Sequence, residues 1–180
     1  MPVSLFAAAA KVADIAGFGT YAGAQVYRAL QDADILPKSS GRRICFATPP
    51  LVASYIIGLC CGDEIRCFVP LATARHGSAH NGYRLLKNEI ALRIDSPKAA
   101  AEVDHVELRR DEASAVVVLV DGQRIEFAAN PDYPPPALVP SWLRHVSVVR
   151  GELLQEIACA TAFDRSGLPA GYNHDGEEAA

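Results

Sequence analysis

Residues 3–59 read VSLFAAAAKVADIAGFGTYAGAQVYRALQDADILPKSSGRRICFATPPLVASYIIGL, and this stretch decides the fold. Ser4 is a good N-cap for an alanine-rich helix. The turn Gly17-Phe18-Gly19-Thr20 ends that helix, and Thr20 is expected to cap the next one, which continues to Asp34. A third helix begins at Thr48-Pro49, because threonine caps helices and proline is tolerated at the first helical position. Two helices joined by a tight turn, with a basic loop behind them, have the layout of a helix-turn-helix.

The second helix is predicted to be amphipathic. We expect its apolar face to consist of Val26, Ala29, Leu30 and Ala33, and the opposite face to carry Tyr21, Gln25, Arg28 and Asp32. Gln25 and Arg28 lie three residues apart on that polar face. Arginine can bond guanine bidentately and glutamine can do the same with adenine, so these residue types suit the reading of DNA bases.

Other residues of the stretch suit contacts to DNA phosphates. Thr20 and Tyr21 stand at the N-terminal end of the second helix, where such contacts are common. The short hairpin or wing expected over residues 38–47 supplies a further set, namely Lys38, Ser39, Ser40, Arg42 and Arg43. The helix after Thr48 is expected to support the helix-turn-helix pair from behind. A small helical bundle with a solvated polar face remains an open alternative for the same pattern.

Beyond residue 62 the pattern predicts an α+β body. We expect a polar loop at residues 76–82, a helix from Tyr83 to Ile94 and a three-stranded antiparallel meander between residues 103 and 127. Asp121-Gly122 is the favoured two-residue hairpin turn of that meander. A further strand is possible within residues 141–149, after a proline-rich segment, and a helix is expected from Gly151 to Ala162.

The predicted organisation is therefore a helix-turn-helix domain over residues 1–62, a dimerisation or partner domain over 63–165 and a disordered tail over 166–180. In the middle strand, Val116, Val118 and Val120 alternate with Val117 and Leu119, so both faces are apolar. We expect one face to be covered by a helix of the same chain and the other by a second subunit, which predicts a homodimer.

One family resemblance spans most of the chain. The segments Tyr27-Arg28-Ala29-Leu30, Ile35-Leu36-Pro37, Gly41-Arg42-Arg43 and Ala47-Thr48-Pro49 resemble the short motifs of phage- and prophage-associated helix-turn-helix proteins of proteobacteria. The downstream part from Val106-Glu107-Leu108 to Phe127 and the final helix after Val149 also resemble these proteins. The resemblance implies a transcriptional regulator. The chain departs from that pattern at Ala33-Asp34-Ile35, where a glycine is usual, and Asp34 is expected to weaken phosphate contact near that end of the helix.

The charge is unevenly distributed along the chain. Residues 1–75 hold seven Lys or Arg and five Asp or Glu, a balance of +2, while the remainder holds ten and sixteen, a balance of −6, which together give −4. This asymmetry fits a DNA-reading head on a different body. It also fits an alternative, a phage-encoded inhibitor that grips a host protein through its acidic C-terminal half, as an anti-defence, host-takeover or anti-CRISPR protein would.

Other classes of function have weaker support. The spacing Cys61-x5-Cys67-x8-His76-x3-His80 lacks the usual short zinc knuckle, so we expect no metal or other cofactor. Ser78 has no nucleophile elbow around it, and the sequence contains no phosphate-binding glycine motif. We therefore expect no enzymatic activity. Five cysteines without a disulfide framework, and no apolar run long enough to span a bilayer, favour a cytoplasmic protein that is not in a membrane.

Overall fold

The structure is a computed structural model, and it describes residues 3–39, 44–61, 79–80, 84–109, 114–128 and 146–161. The elements in chain order are α1 (Leu5–Ile15), α2 (Thr20–Asp32), α3 (Pro49–Leu59), β1 (Ala79–His80), β2 (Arg84–Leu85), α4 (Leu86–Ile94), α5 (Pro97–Ala100), β3 (Val103–Arg109), β4 (Ser114–Leu119), β5 (Arg124–Phe127), β6 (Val146–Arg150) and α6 (Gly151–Thr161). The predicted α+β class is confirmed.

The first three helices pack against one another. Ser4 caps α1 as predicted, since its Oγ accepts a hydrogen bond from the backbone N–H of Ala7 at 3.2 Å. Helix α3 is the innermost of the three, because every residue from Val52 to Leu59 is buried. A helix that is apolar on all sides is stable only when other elements surround it. Helix α3 therefore supports α1 and α2 from behind, as expected.

The core face of α2 differs from the predicted one. Its buried residues are Gly23, Tyr27 and Leu30, whereas Val26 and Ala29 are only partly buried at the margin of the core. The prediction ranked residues by hydropathy, so it passed over a glycine and a tyrosine. A Cβ on Gly23 would lie 2.6 Å from the Cβ of Ala13, so the glycine is what allows α1 and α2 to approach so closely.

Helix α2 ends in a Schellman motif. The N–H of Ile35 donates to the carbonyl of Leu30 at 3.0 Å, and the N–H of Asp34 donates to that of Gln31 at 3.2 Å. Asp34 adopts a positive φ of 56°, which is the left-handed position that glycine usually occupies.

Residues 45–47, at the end of the predicted wing, pair with the start of the chain. The N–H of Leu5 donates to the carbonyl of Cys45 and that of Ala47 donates to the carbonyl of Val3, around an antiparallel bridge between Ser4 and Phe46. The predicted hairpin over residues 38–47 joined this segment to itself, whereas residues 45–47 find their partner at the start of the chain. The centre of that hairpin, residues 40–43, lies outside the described residues.

The antiparallel sheet has four strands, in the order β5-β4-β3-β6, where three were predicted. The fourth is β6, which pairs along the outer edge of β3 from His105↔Arg150 to Arg109↔Val146. The sequence marked a strand here without placing it, because its partner lies about forty residues away. The predicted turn at Asp121-Gly122 is present, but it is a three-residue loop and not a two-residue one. The N–H of Leu119 donates to the carbonyl of Gln123, the N–H of Gly122 donates to that of Leu119, and Gly122 has a φ of +87°.

The two faces of the sheet differ in composition, which corrects the prediction of two apolar faces. Seven residues share the face that carries most of the buried apolar side chains: Val106, Leu108, Ala115, Val117, Ile125, Phe127 and Val149. On the opposite face, Val116 and Val118 lie beside charged residues of the neighbouring strands, including Glu107 and Arg124. Val120, predicted to continue this strand, lies beyond its end and is exposed.

Helix α4 begins three residues later than predicted, at Leu86. Arg84 and Leu85 form β2, which pairs antiparallel with β1. Strand β1 lies within residues 76–82, which were expected to form a polar loop. The buried side chains of α1–α3 belong to the same hydrophobic cluster as those of the sheet and α6. The hydroxyl of Ser147 on β6 donates to the carbonyl of Cys60 at 2.8 Å, at the end of α3. Among the described helices, none has the length and apolar character needed to cross a membrane.

Candidate nucleic-acid interface

The outward face of α2 carries Tyr21, Gln25, Arg28 and Asp32. These residues lie opposite the buried Gly23, Tyr27 and Leu30, as the 3.6-residue period requires. Tyr21 is 76% exposed, Arg28 and Asp32 are exposed, and Gln25 is half-buried. The polar face that the sequence predicted is therefore at the surface. Of the predicted apolar face, Leu30 is fully buried and Val26 and Ala29 are partly buried against the core.

The side chains of Arg28 and Gln25 make no bonds within the described part of the head, by which we mean residues 3–61. Within the described residues, neither side chain makes a hydrogen bond or an ion pair. A separation of three residues places two side chains next to each other on one face of a helix. Their donors and acceptors are consequently available to a partner.

The N-terminal end of α2 differs in detail from the prediction. Gly19 is the N-cap, no side chain caps the helix, and Thr20 is the first helical residue, so the prediction that Thr20 caps α2 is wrong. Thr20 and Tyr21 are both exposed there. The first backbone N–H groups of a helix lack intrahelical partners and carry a partial positive charge, so this end suits an anion such as a phosphate.

The C-terminal end of α2 opens into a groove of about 510 Å³. Its lining brings together three of the predicted site residues, Arg28, Lys38 and Ser39, with Asp32, Gln31, Tyr27 and Phe6. Lys38 Nζ lies 3.3 Å from Asp32 Oδ1, in an exposed ion pair. The side-chain amide of Gln31 donates to the carbonyl of Pro37 at 2.9 Å, which fixes the chain that carries Lys38 relative to α2.

Thr20 and Lys38 thus mark the two ends of one surface. Helix α2 has 13 residues, and at 1.5 Å per residue it is about 20 Å long. Tyr21 lies near one end, Gln25 and Arg28 lie in the middle, and Lys38 and Ser39 lie at the other end. The remaining predicted phosphate contacts, Ser40, Arg42 and Arg43, lie outside the described residues.

Phe6 is a member of this surface that the sequence prediction missed. Its side chain is 57% exposed and its ring packs edge-on against Tyr27, with ring centroids 5.4 Å apart. The available signal was the offset of Phe6 from the face of α1 that holds the buried Leu5, Ala9 and Val12, which turns this large aromatic side chain toward α2.

Two buried tyrosines support the surface from below. The hydroxyl of Tyr55 on α3 donates to the carbonyl of Gly23 at 2.9 Å, and its ring lies 6.2 Å from that of Tyr27. Burial raises the pKa of Tyr55 to about 12 and also raises the pKa of Tyr27, with a smaller contribution from Cys45. Both phenols therefore stay neutral at pH 7, and the Tyr55 hydroxyl keeps its proton for Gly23.

The described charges around α2 are balanced. Arg28 and Lys38 are offset by Asp32 and Asp34, and Lys38 is already paired with Asp32. The described side chains around α2 therefore give this surface no excess of positive charge. Among the described side chains that line the groove, Arg28 is the cation without a carboxylate partner.

The residues considered for a metal are only partly described. Cys61 is buried and its Sγ donates to the carbonyl of Ile57 at 3.1 Å. Cys67 and His76 lie outside the described residues, as does Ser78. In the described ranges, no three metal-ligating side chains converge. Among the described cysteines, Cys45 and Cys159 are free thiols.

Comparison with protein-family models, with curated proteins and with solved structures gave no significant match to this chain.

Proposed function

We propose that the protein is a sequence-specific regulator that binds double-stranded DNA with α2 in the major groove. The observation that carries the proposal is the outward face of α2, where Gln25 and Arg28 stand three residues apart and make no bond within the described chain. An exposed arginine and glutamine at this spacing match the paired donors and acceptors of guanine and adenine edges.

The rest of the surface suits the DNA backbone. Lys38 and Ser39 lie at one end of α2 and Thr20 and Tyr21 at the other, so phosphates of the two strands bordering the groove have contacts at both ends. Arg42 and Arg43, which follow Lys38 and Ser39 in the sequence, are proposed as further phosphate contacts. Contacts of this kind fix the register of a protein on the duplex, while Gln25 and Arg28 choose the sequence.

The proposed assembly is a homodimer on a near-palindromic operator. Strand β6 is an edge of the four-stranded sheet, and Val146 and Val148 on it are exposed. Exposed edge strands with apolar side chains pair readily with a second copy. Two heads related by a two-fold axis would meet half-sites about 34 Å apart, which is one turn of B-DNA.

Selection from a randomised duplex library at two salt concentrations, followed by sequencing, tests the proposal. We expect enrichment of a two-fold symmetric motif that persists at the higher salt, together with a steep salt dependence of total binding. Weak retention without any enriched motif would contradict it.

A second candidate function is inhibition of a host protein, as a phage-encoded anti-defence factor. The −6 balance of residues 76–180 favours it. The outward sheet face does not concentrate this charge, because Arg109, Arg124 and Arg150 lie there beside Glu107 and Glu126. An acidic partner surface would therefore have to come from another part of the C-terminal half. A library without enrichment, combined with a stable complex with a host protein, would favour this function.

A further inference from the structure

We infer that Phe6 is a base-reading residue, which contacts the 5-methyl group of a thymine in the major groove beside the bases read by α2. The inference rests on the proposed DNA binding, and it adds a specificity-determining residue from a helix other than the recognition helix.

The Phe6 ring is both exposed and fixed. More than half of its surface is open to solvent, although an aromatic side chain of this size usually gains from burial. Its edge-on contact with Tyr27 holds it in place, and Tyr27 in turn packs on Tyr55 from α3. A ring supported by two buried aromatics loses little conformational freedom when it binds, which makes it a good anchor.

The neighbours of Phe6 identify the kind of occupant. Phe6 lines the groove that also contains Arg28 and the Lys38–Asp32 ion pair, so an apolar ring shares this surface with a cation that has no carboxylate partner among the described residues. A purely apolar occupant would leave Arg28 unmatched. The major groove of duplex DNA displays guanine acceptors and thymine methyl groups side by side, which matches an arginine and an apolar ring on one surface.

Thymine is the base that suits an apolar ring. The other base edges in the major groove display hydrogen-bond donors and acceptors, whereas thymine adds a methyl group that apolar side chains contact. Arg28 lines the same groove as Phe6, so the thymine read by Phe6 is expected within one or two base pairs of the guanine read by Arg28.

A cycle that combines protein variants with modified DNA tests the inference. The enriched operator is prepared with thymidine, and then with deoxyuridine replacing each thymidine in turn, which removes one methyl group and nothing else. Affinities are measured for the unmodified protein, Phe6→Ala and Phe6→Leu. Phe46→Ala is the matched control, because Phe46 is a similarly exposed aromatic that does not line the groove.

For the unmodified protein, deoxyuridine at one position per half-site should weaken binding about fourfold per half-site, the value of one buried methyl group. Phe6→Ala should lose affinity for the thymidine operator and become indifferent to deoxyuridine at that position. Phe6→Leu, which stays apolar, should keep part of the discrimination, and Phe46→Ala should keep all of it.

Four results would overturn the inference. An operator that is bound specifically but shows no sensitivity to deoxyuridine refutes the role of Phe6 and leaves the proposed function intact. The role of Phe6 is also refuted if Phe6→Ala is as sensitive to deoxyuridine as the unmodified protein. It is refuted as well if the only defect of Phe6→Ala is the loss of its dimeric state. A library that yields no operator refutes the proposed function first, and the inference with it.

Discussion

The head, residues 3–61, and the sheet half, residues 84–161, use their charged side chains differently. In the sheet half, three of the four arginines with described side chains, Arg93, Arg109 and Arg124, lie within ion-pair distance of carboxylates of the same chain, whereas Arg150 has no ion pair among the described residues. In the described part of the head, the one ion pair is Lys38–Asp32, and Arg28 has none. Charges that are satisfied internally stabilise the fold. An unpartnered arginine on the outward face of a well-supported helix is available for a partner, which is why the proposed function rests on the head.

The packing of the two regions differs as well. The head brings helices close together through small residues such as Ala13 and Gly23, while the sheet half buries a face of valine, leucine and phenylalanine. Helix contacts between small residues tolerate little change in volume, because a Cβ is rigidly attached to its backbone and cannot move aside.

The largest expected effect is in the sheet half, at Arg93. Its Nε lies 2.8 Å from Oε1 of Glu89, whose side chain is fully buried, and its Nη1 lies 2.8 Å from Oε2 of Glu102. Arg93→Ala leaves the buried carboxylate without its arginine and should lower the free energy of unfolding by about 3 kcal/mol. Urea denaturation measures this loss.

Arg109→Ala is the matched control for Arg93→Ala. Arg109 is 40% exposed and lies 3.9 Å from Glu107, so its removal should cost less than about 1 kcal/mol. Equal losses for the two variants would show that internal pairing in this half is not what stabilises it.

The next largest effect is expected on DNA affinity, and it tests whether the head reads bases. Arg28→Ala should weaken binding to the selected operator by about 1–3 kcal/mol and relax the choice of base at one position, while the unfolding transition stays unchanged. Arg43→Ala should weaken all DNA alike and reduce the salt slope by about one. Titrations on operator and on random DNA at several salt concentrations measure both.

Lys11→Ala is the control for the loss of a positive charge, because Lys11 is exposed on α1 and lines no part of the groove. Identical losses on operator and on random DNA for Arg28→Ala would remove Arg28 from base reading.

The third prediction concerns the close approach of α1 and α2. Gly23→Ala places a Cβ 2.6 Å from Ala13 Cβ and 3.0 Å from the Tyr55 hydroxyl oxygen, so the helices must separate. The clash costs about 1–3 kcal/mol, and the better helix propensity of alanine returns somewhat less than 1 kcal/mol. The net loss should appear in thermal unfolding. Adding Ala13→Gly should recover part of it, and a double variant no more stable than Gly23→Ala would argue against the contact.

A smaller effect, in the opposite direction, is expected at the end of α2. Asp34 has a φ of 56°, a conformation that costs a residue with a side chain more than it costs glycine. Asp34→Gly should therefore stabilise the protein by about 0.5–1 kcal/mol in chemical denaturation. Asp34→Ala keeps the strained conformation and removes the same charge, so it should give no comparable gain. A gain in both variants would assign the effect to charge.

The smallest expected effect is a pH dependence of the sheet half. His105 Nδ1 lies 2.6 Å from Asp104 Oδ2 and its Nε2 lies 3.2 Å from Glu107 Oε1. The hydrogen bond to Asp104 is the main cause of a raised pKa, with Glu107 adding to it and burial opposing it. Arg150 stands opposite His105 on β6, and Arg124 lies on the same face of the sheet.

Because the folded pKa of His105 is raised, its contribution to stability is complete below the ordinary histidine pKa near 6.5 and is lost as the pH rises through the higher folded value. Solvent screening should keep this contribution below about 1 kcal/mol. The difference in melting temperature between the unmodified protein and His105→Gln, followed from pH 5.5 to pH 8.5, should shrink with rising pH. A difference that is constant with pH would contradict the assignment.

Much of the fold follows from local patterns. The Ser4 cap, the helix starting at Pro49, the Asp121-Gly122 turn and the strands around it all depend on residues within a few positions of one another. The class α+β follows from them. The outward face of α2 was also predictable, since Tyr21, Gln25, Arg28 and Asp32 share one helical face by period alone.

Other features depend on contacts between distant residues. The position of the fourth strand depends on its pairing with β3. The core face of α2 depends on contacts with Ala13 and Tyr55, which bury Gly23 and Tyr27. The pairing of residues 45–47 with residues 3–5 replaced the expected hairpin for the same reason. Local hydropathy contains no information about which distant segment supplies a hydrogen-bond partner.

The sequence by itself therefore determined the order of the elements and the polar face of α2, because helix period, caps and turns are local properties. Only the tertiary structure decided that Phe6 stands beside Arg28 and Lys38, that Arg28 has no partner among the described residues while Arg93 has two, and that α3 is buried throughout. Each of these depends on how helices and strands from separate parts of the chain pack, and packing is decided by the shape and volume of side chains that meet only in the folded protein.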